Sequence, residues 1–292
     1  VRGLRLAQGV DFCILVIGDL GECGKLSLQS IADINSSKLC AMADAAGFSY
    51  LEKCLNEIGK IEILCPHPIP SELSWVLKDT SPDPTYAIFG DNKFFRLMYL
   101  KWQIIKEALN EHATGPHVVF TDLDIFWNRP PKEDIFRNNV NSSVCAIQKD
   151  FTKYGRRFFC PGIMIWEKSD RSLKVLKDVS DFHAHIMKTE GSIPDDKALN
   201  KWLQIDNNAT YFIGLDDLDF IIGHRLPYLL SGRKGFRLGS FTAFHANYVE
   251  GLEKKMRNLR FAKLQEKQFG KRFLAILQLV LEKGSQKIYD KL

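Results

Sequence analysis

The 292-residue sequence predicts an α/β protein, an α/β/α sandwich around a mostly parallel central sheet with a helix at its C-terminal end. Three observations carry that expectation. Val10 to Ile17 (VDFCILVI) is an unbroken apolar, β-branched run ending at Gly18-Asp19, the profile of a buried strand that opens into a loop. Lys93 to Leu109 (KFFRLMYLKWQIIKEAL) places Phe94, Leu97, Leu100, Trp102, Ile104, Ile105 and Leu109 on one broad side of a helix. A short loop then leads to a second apolar strand, Val118-Val119-Phe120, so strands and helices alternate.

The other elements follow in order. A helix is expected around Leu26 to Ile34, and a second from Asn35 through Leu39, Met42 and Ala45 to a stop at Gly47. Ile61 to Leu64 reads as a short strand closed by Pro66, Pro68 and Pro70, and Ser71 to Pro84 as a turn-rich loop. Ala146 to Gln148 and Gly162 to Trp166 read as strands, Arg171 to Lys188 and Asp195 to Leu203 as helices. A helical pattern from Leu259 to Lys283 closes the chain. Residues 1–258 are therefore expected to form one domain, with 259–292 as a basic amphipathic extension packed on it.

Charge narrows the function. The chain holds 40 Lys+Arg and 35 Asp+Glu, a net +5, but residues 251–292 alone carry 11 basic and 4 acidic groups. The rest is near neutral, which excludes a nucleic-acid wrapper with its basic groove. The first basic residues of the tail, Lys254, Lys255 and Arg257, are read as meeting a small anion. The rest belong to a packing helix, with peripheral membrane contact as a second role.

Seven scattered cysteines contain no C-x-x-C pair, so neither a zinc ribbon nor a thioredoxin-type site is signalled, and a reduced compartment is mildly favoured. Sequons at Asn35, Asn141 and Asn208 point weakly to a secretory route. No stretch matches a membrane span. The chain begins at Val1 rather than Met, so a leader or anchor is expected to be missing. The compartment is then the cytoplasm for a prokaryotic or viral source and the Golgi lumen for a eukaryotic one.

The chemistry concentrates in Val118 to Pro131 (VVFTDLDIFWNRPP). Asp122 and Asp124, spaced i, i+2 at the end of an apolar strand, share a face in strict strand geometry and can reach one centre. Open α/β sheets bind ligands beyond the carboxyl ends of their strands. Two hard oxygen ligands there suit Mg²⁺ or Mn²⁺, completed by a ligand's phosphates. A solvated D-x-D turn is the rival reading, and the bulky apolar flanks weigh against it.

Here the sequence resembles the nucleotide-diphospho-sugar transferases, GT-A glycosyltransferases with a D-x-D motif, and their retaining α-glycosyltransferase branches in particular. The likeness runs through Asn35 to Phe48 (NSSKLCAMADAAGF), Lys101 to Leu109 with VVFTDLDIFW, Phe159 to Trp166 (FCPGIMIW), Asp195 to Asn200 (DDKALN) and Phe244 to Lys255 (FHANYVEGLEKK). It implies a metal-dependent glycosyltransferase taking a nucleoside-diphosphate sugar, UDP-linked in most such families, and a glycan or other hydroxyl acceptor, with retention. It implies His245 as a third metal ligand beside Asp122 and Asp124. Asp19, Arg96, Lys101, Gly162, Asn247, Gly251, Lys254 and Lys255 are implied at the donor, and Asp195 or Asp196 near the anomeric carbon.

Bland readings stand beside these. Asp19 reads equally as a turn aspartate, His245 as a core residue, Lys254 and Lys255 as a solvated helix face, and Asp195-Asp196 as a helix cap. Arg96 and Lys101, five apart, cannot share one face closely, so one of them reaches the donor. Asp196 stands where the family has Gln, and Cys160 where it has Asn. Gly18 to Leu26 lacks the phosphate-loop spacing, and His183 and His185 face apart on their helix. Asp216, Asp217 and Asp219 read as a solvated loop. Two other classes compete: a metal-dependent phosphoesterase, which needs more ligands than one group supplies, and a non-catalytic binding module, against which the intact Asp122, Asp124 and His245 argue.

Overall fold

The computed structural model describes residues 10–34, 38–61, 63–77, 92–112, 115–132, 135–136, 143–151, 157–217, 219–223, 241–246 and 252–267. The first half lays down β1 (Val10–Val16), α1 (Gly21–Ile34), β2 (Lys38–Ala43), α2 (Ala45–Ile58), β3 (Ile63–Pro68), α3 (Asn92–Met98), α4 (Leu100–Glu107), β4 (His117–Thr121) and β5 (Ile125–Trp127). Then come β6 (Cys145–Phe151), β7 (Arg157–Glu167), α5 (Asp170–Thr189), α6 (Asp195–Trp202), β8 (Phe212–Gly214), β9 (Phe220–Ile222), β10 (Ala243–His245) and α7 (Leu252–Lys267).

Seven strands form the main sheet in the order β3-β2-β1-β4-β7-β6-β8. Four of its pairings are parallel, and β7 runs antiparallel between β4 and β6. Alternation along each strand makes the three layers. Phe12, Ile14 and Val119 face α1 and α2, packing with Leu28, Ile31 and Leu51. Cys13, Val118, Phe120, Met164 and Trp166 face the other way and meet Trp102, Ile104, Ile105 and Val175 of α4 and α5. A small second sheet, β5-β10-β9, covers one end of this core. Against it α7 buries Leu259 and Ala262 beside Cys23, Phe126 and Phe244. Position 258/259 thus lies within α7, and residues 268–292 fall outside those described.

Ser71–Leu77, expected as the start of a loop, forms a short 3-10 helix, and two further elements differ from expectation. Lys38–Ala43 is a strand between β1 and β3, not part of a helix, and the helix begins after it. Asp44 is its cap, accepting from Gly47 N at 2.7 Å and also from Gly18 N at 3.0 Å. Gly47 therefore opens α2 instead of ending the preceding helix; the stop is Gly59, left-handed at φ 64° with its N–H on Leu55 O. The second difference is β3, which runs through Pro66 and Pro68 to its end. It pairs with β2 alone in this sheet, and an edge strand tolerates the missing proline donors.

Candidate active site

A cleft opens at the carboxyl ends of β1 and β4, adjacent parallel strands from which the sheet extends in opposite directions. Its polar lining includes Lys101, Asp122, Asp124, Asp195, Asp196, His245 and Lys255.

The two D-x-D carboxylates converge by a different route from the strand geometry expected. Strand β4 ends at Thr121, and Asp122 to Asp124 turn the chain from the main sheet into the small one. Three elements hold that turn. Asp122 N donates to Gly162 O on β7 at 2.9 Å, Ala246 N donates to Asp124 O at 2.9 Å, and Ser27 Oγ of α1 donates to Leu123 O at 2.9 Å. His245, at the end of β10, is 2 % exposed, with its Nδ1 2.8 Å from Gln148 Oε1 on β6. Its ring lies against Gly162, where an added Cβ would come within 2.3 Å of Cε1 and 3.1 Å of Asp122 Oδ2. Ligand atoms of Asp122, Asp124 and His245 all lie within 4.8 Å of one another.

This donor set fits a divalent cation. Asp124 Oδ1 is buried and lies 3.2 Å from His245 Nε2, so these two ligand atoms point at one another. Two carboxylate oxygens and one imidazole nitrogen suit Mn²⁺ or Mg²⁺ with positions left for ligand oxygens. A second grouping among the described residues, His67, Glu107 and Glu111, is more exposed, and none of the three lines the cleft.

Two lysines balance the acids. Lys101, its side chain 4 % exposed, lies 3.0 Å from Asp122 Oδ1 and 2.7 Å from Asp195 Oδ2, over the Phe120 ring. Burial alone would lower the Lys101 pKa, but the two carboxylates outweigh it and raise it. The Asp122 carboxyl is raised, by burial first and then by Asp124 and Asp195 against the pull of Lys101. Lys255 Nζ donates to Asp124 Oδ2 at 2.6 Å. Burial works to raise Asp124 too, but Lys255 and His245 hold it well below the usual carboxylate range.

Asp195 and Asp196 open α6, and α6 is locked in place from both ends. Asn200 Nδ2 donates to Phe159 O and to Asp196 O at 2.7 Å each, while Phe159 N donates to Asn200 Oδ1 at 2.9 Å. Ahead of the helix, His183 Nε2 lies 3.1 Å from Ile193 O, and its Nδ1 accepts from Trp102 Nε1 at 2.9 Å. The loop into α6 is thereby tied to α4, the helix that carries Lys101. Asp195 is 6 % exposed and engaged by Lys101; Asp196 is half-buried, and burial together with the Asp195 charge pushes its pKa up to about 6.

The remaining expected residues fall as follows. Asp19 is exposed and accepts from Gly21 N at 2.7 Å, a turn aspartate at the start of α1. Arg96 is half-buried on α3 and does not line the cleft; Lys101 does. Asn247 and Gly251 lie outside the described residues, as does the side chain of Lys254. Of the histidines on α5, His183 is buried and His185 exposed. Asp219 binds Arg129 at 2.7 Å and Lys132 at 3.0 Å, which makes it a bracing residue. Asn208, the one sequon asparagine described, donates to Trp202 O at 3.0 Å. Sequence reasoning missed Gln148, Asn200 and the His183 strut. Gln148 follows the apolar run VCAI and precedes Lys149-Asp150, so the sequence reads it as the polar end of a strand and gives little signal of a buried amide.

Comparison with known proteins gives this arrangement its family. Residues 72–259 match the family model for nucleotide-diphospho-sugar transferases. Mouse xyloside xylosyltransferase 1 in its apo form superposes with a TM-score of 0.54 at 15% identity, covering 82% of this chain and 98% of its own. The galactosyltransferase LgtC, solved with donor and acceptor sugar analogues, gives 0.53 at 9% identity over 86% of this chain and 95% of its own. The glycosyltransferase GlyE of Streptococcus pneumoniae TIGR4 gives 0.51 at 12% identity, over 86% and 60%. Comparison with curated protein sequences finds no match. The structural likenesses establish the fold and the family match covers well over half of the chain, so the protein belongs to the nucleotide-diphospho-sugar transferase family and is a glycosyltransferase of the GT-A fold.

Proposed function

We propose that this glycosyltransferase is metal-dependent and moves a sugar from a UDP-linked donor to a hydroxyl of a glycan or similar acceptor, with retention. One observation supports this above the others: Asp122, Asp124 and His245 converge at the carboxyl edge of the sheet, with Lys255 beside them. Mn²⁺ or Mg²⁺ held there would supply positive charge against a diphosphate as it leaves.

The chain's own residues divide the remaining work. Lys255 reaches the same point as the metal ligands and would meet a phosphate oxygen, exchanging one anion for another. Gly162 keeps the backbone low beside Asp122 and His245, where any side chain would block the approach. Asp195 is committed to Lys101, so its role is to hold that ammonium next to Asp122. Asp196 lines the cleft, ion-paired to no lysine among the described residues, and is the carboxylate offered to the positive anomeric carbon of the transition state.

The experiment is hydrolysis of a panel of nucleoside-diphosphate sugars with and without Mn²⁺, with Asp124→Asn as control. Metal-dependent release of the nucleotide, lost in the variant, is expected. No turnover and no UDP binding in the presence of metal would sink the proposal.

A further inference from the structure

Gln148 is fully buried on β6, 97 positions from His245 in sequence, and its amide touches the His245 ring at the nitrogen that faces away from Asp124. We infer that Gln148 is a positioning residue for the metal: it fixes the ring plane and tautomer of His245 and so sets the affinity of the three-ligand site. The inference rests on the metal-dependent reading above and adds to it a residue outside the ligand set.

Gln148 Nε2 lies 3.5 Å from Phe220 O, a backbone carbonyl that can only accept. Turning the amide over would set two oxygens against each other there, with no water in a fully buried site to relieve them. So Oε1 faces His245, at 2.8 Å from Nδ1. An amide oxygen cannot donate, and Nδ1 must therefore carry the proton. In that tautomer Nε2, the nitrogen 3.2 Å from Asp124 Oδ1, is the one left to bind a metal. Nε2 and Oδ1 thus converge, and a cation held there would take both as ligands. A partner on the far nitrogen that fixes tautomer and ring plane typically governs metal affinity by ~10–100-fold.

The fold devotes an irregularity to this contact. Along β6 and β7, Ile147 pairs with Met164 but Gln148 pairs with Cys160, so residues 161–163 have no partner on β6, while Ile163 stays paired with Thr121 of β4 on the other side. The bulge carries Gly162 against one part of the His245 ring while Gln148 holds its Nδ1. The ring is thus confined by backbone and by amide together.

The test uses metal-free protein at mildly alkaline pH, where imidazoles are neutral. Long-range proton–nitrogen correlation NMR reads the tautomer of His245, assigned by its loss in His245→Gln. Mn²⁺ affinity is measured by calorimetry in wild type, Gln148→Met, which keeps volume but loses the acceptor, and Gln148→Glu, which keeps the acceptor. Wild type and Gln148→Glu should show the Nδ1–H tautomer and bind Mn²⁺. Gln148→Met should lose that tautomer's dominance and bind Mn²⁺ about 10–100-fold more weakly. An Nε2–H tautomer in wild type overturns the inference without recourse to any variant, as does unchanged affinity in Gln148→Met. Should Gln148→Met fail to fold, the wild-type spectrum and Gln148→Glu still decide. Absence of Mn²⁺ binding in wild type would bring down the metal reading and this inference together, whereas binding indifferent to Gln148 removes the inference alone.

Discussion

Lys255 Nζ sits 2.6 Å from Asp124 Oδ2, so α7 supplies the countercharge to one of the two D-x-D carboxylates. The side chains are 20 % and 13 % exposed, which shields the pair from solvent without removing it from reach of a ligand. An ammonium in that place competes with a metal for the same carboxylate and attracts the phosphate that would accompany the metal.

Opposite shifts in two affinities are therefore expected for Lys255→Met. Mn²⁺ alone should bind more tightly, because Asp124 is released from its partner. UDP in the presence of Mn²⁺ should bind about tenfold more weakly, since a charge-assisted phosphate contact is lost. Calorimetry with metal alone and then with nucleotide separates the two. Weaker binding of both would mean that Lys255 merely supports the fold of the site.

Lys101 presents the contrasting case of a cation whose role is internal. It is buried between Asp122 and Asp195, and its removal strands carboxylates that pair with no other lysine among the described residues. Breaking a buried pair by deleting one partner costs about 3–5 kcal/mol. Lys101→Met should lower the melting temperature by several degrees, and Lys101→Met/Asp195→Asn should recover part of the loss because one stranded charge is gone. Mn²⁺ should stabilise Lys101→Met more than wild type by neutralising Asp122. Urea unfolding of the four proteins in the cycle, with and without metal, checks all three statements; strict additivity of the two substitutions would contradict the shared network.

These two lysines also show what could be read in the sequence. The D-x-D turn was legible because an apolar strand ahead of it and bulky residues after it leave little freedom in where the aspartates go. That Lys101 and not Arg96 would reach the cleft was not, because both lie on the same amphipathic stretch and only the packing of α4 on the sheet decides. Lys38–Ala43 was misread as helix since a short apolar run fits either element. Asp44 was the overlooked cue, a capping residue marking where the helix begins. Gln148, Asn200 and His183 act through partners 97, 41 and 81 positions away, and no local pattern encodes such pairings.

Asp196 gives a pH dependence. Its pKa is pushed up to about 6, and the form proposed to act is the carboxylate. As pH falls through about 6 the proton binds and kcat/KM, which reports the free enzyme, should fall with it. In Asp196→Asn the residual rate should be lower by about 10²–10³ and lack that acid limb. Stability should move the other way. A carboxyl raised in the folded state is ionised at a cost above about 6, and that cost is relieved as pH drops toward the unfolded value of about 4. Asp196→Asn should therefore melt higher than wild type near neutral pH and equally near pH ~4. An acid limb that persists in Asp196→Asn would assign the titration to another group.

Gly162 tests how tightly the site is built. Its φ is not among the positive values, so alanine fits the backbone and the conflict is purely one of space. A Cβ there would lie 2.3 Å from His245 Cε1 and 3.0 Å from Nδ1. The ring cannot simply step back, because Nδ1 is held by Gln148 and the backbone of β10 is paired on both sides by β5 and β9. Either the ring tilts out of the metal position or the bulge moves, and both separate His245 from Asp122. Gly162→Ala should lose more than about tenfold in Mn²⁺ affinity and about 1–3 kcal/mol of stability through overpacking. Gly59→Ala is the control: at φ +64° with nothing within 4 Å, it should cost about 1 kcal/mol through backbone strain alone and leave Mn²⁺ binding untouched. Equal metal affinities in the two variants would show that His245 does not depend on the space Gly162 leaves for it.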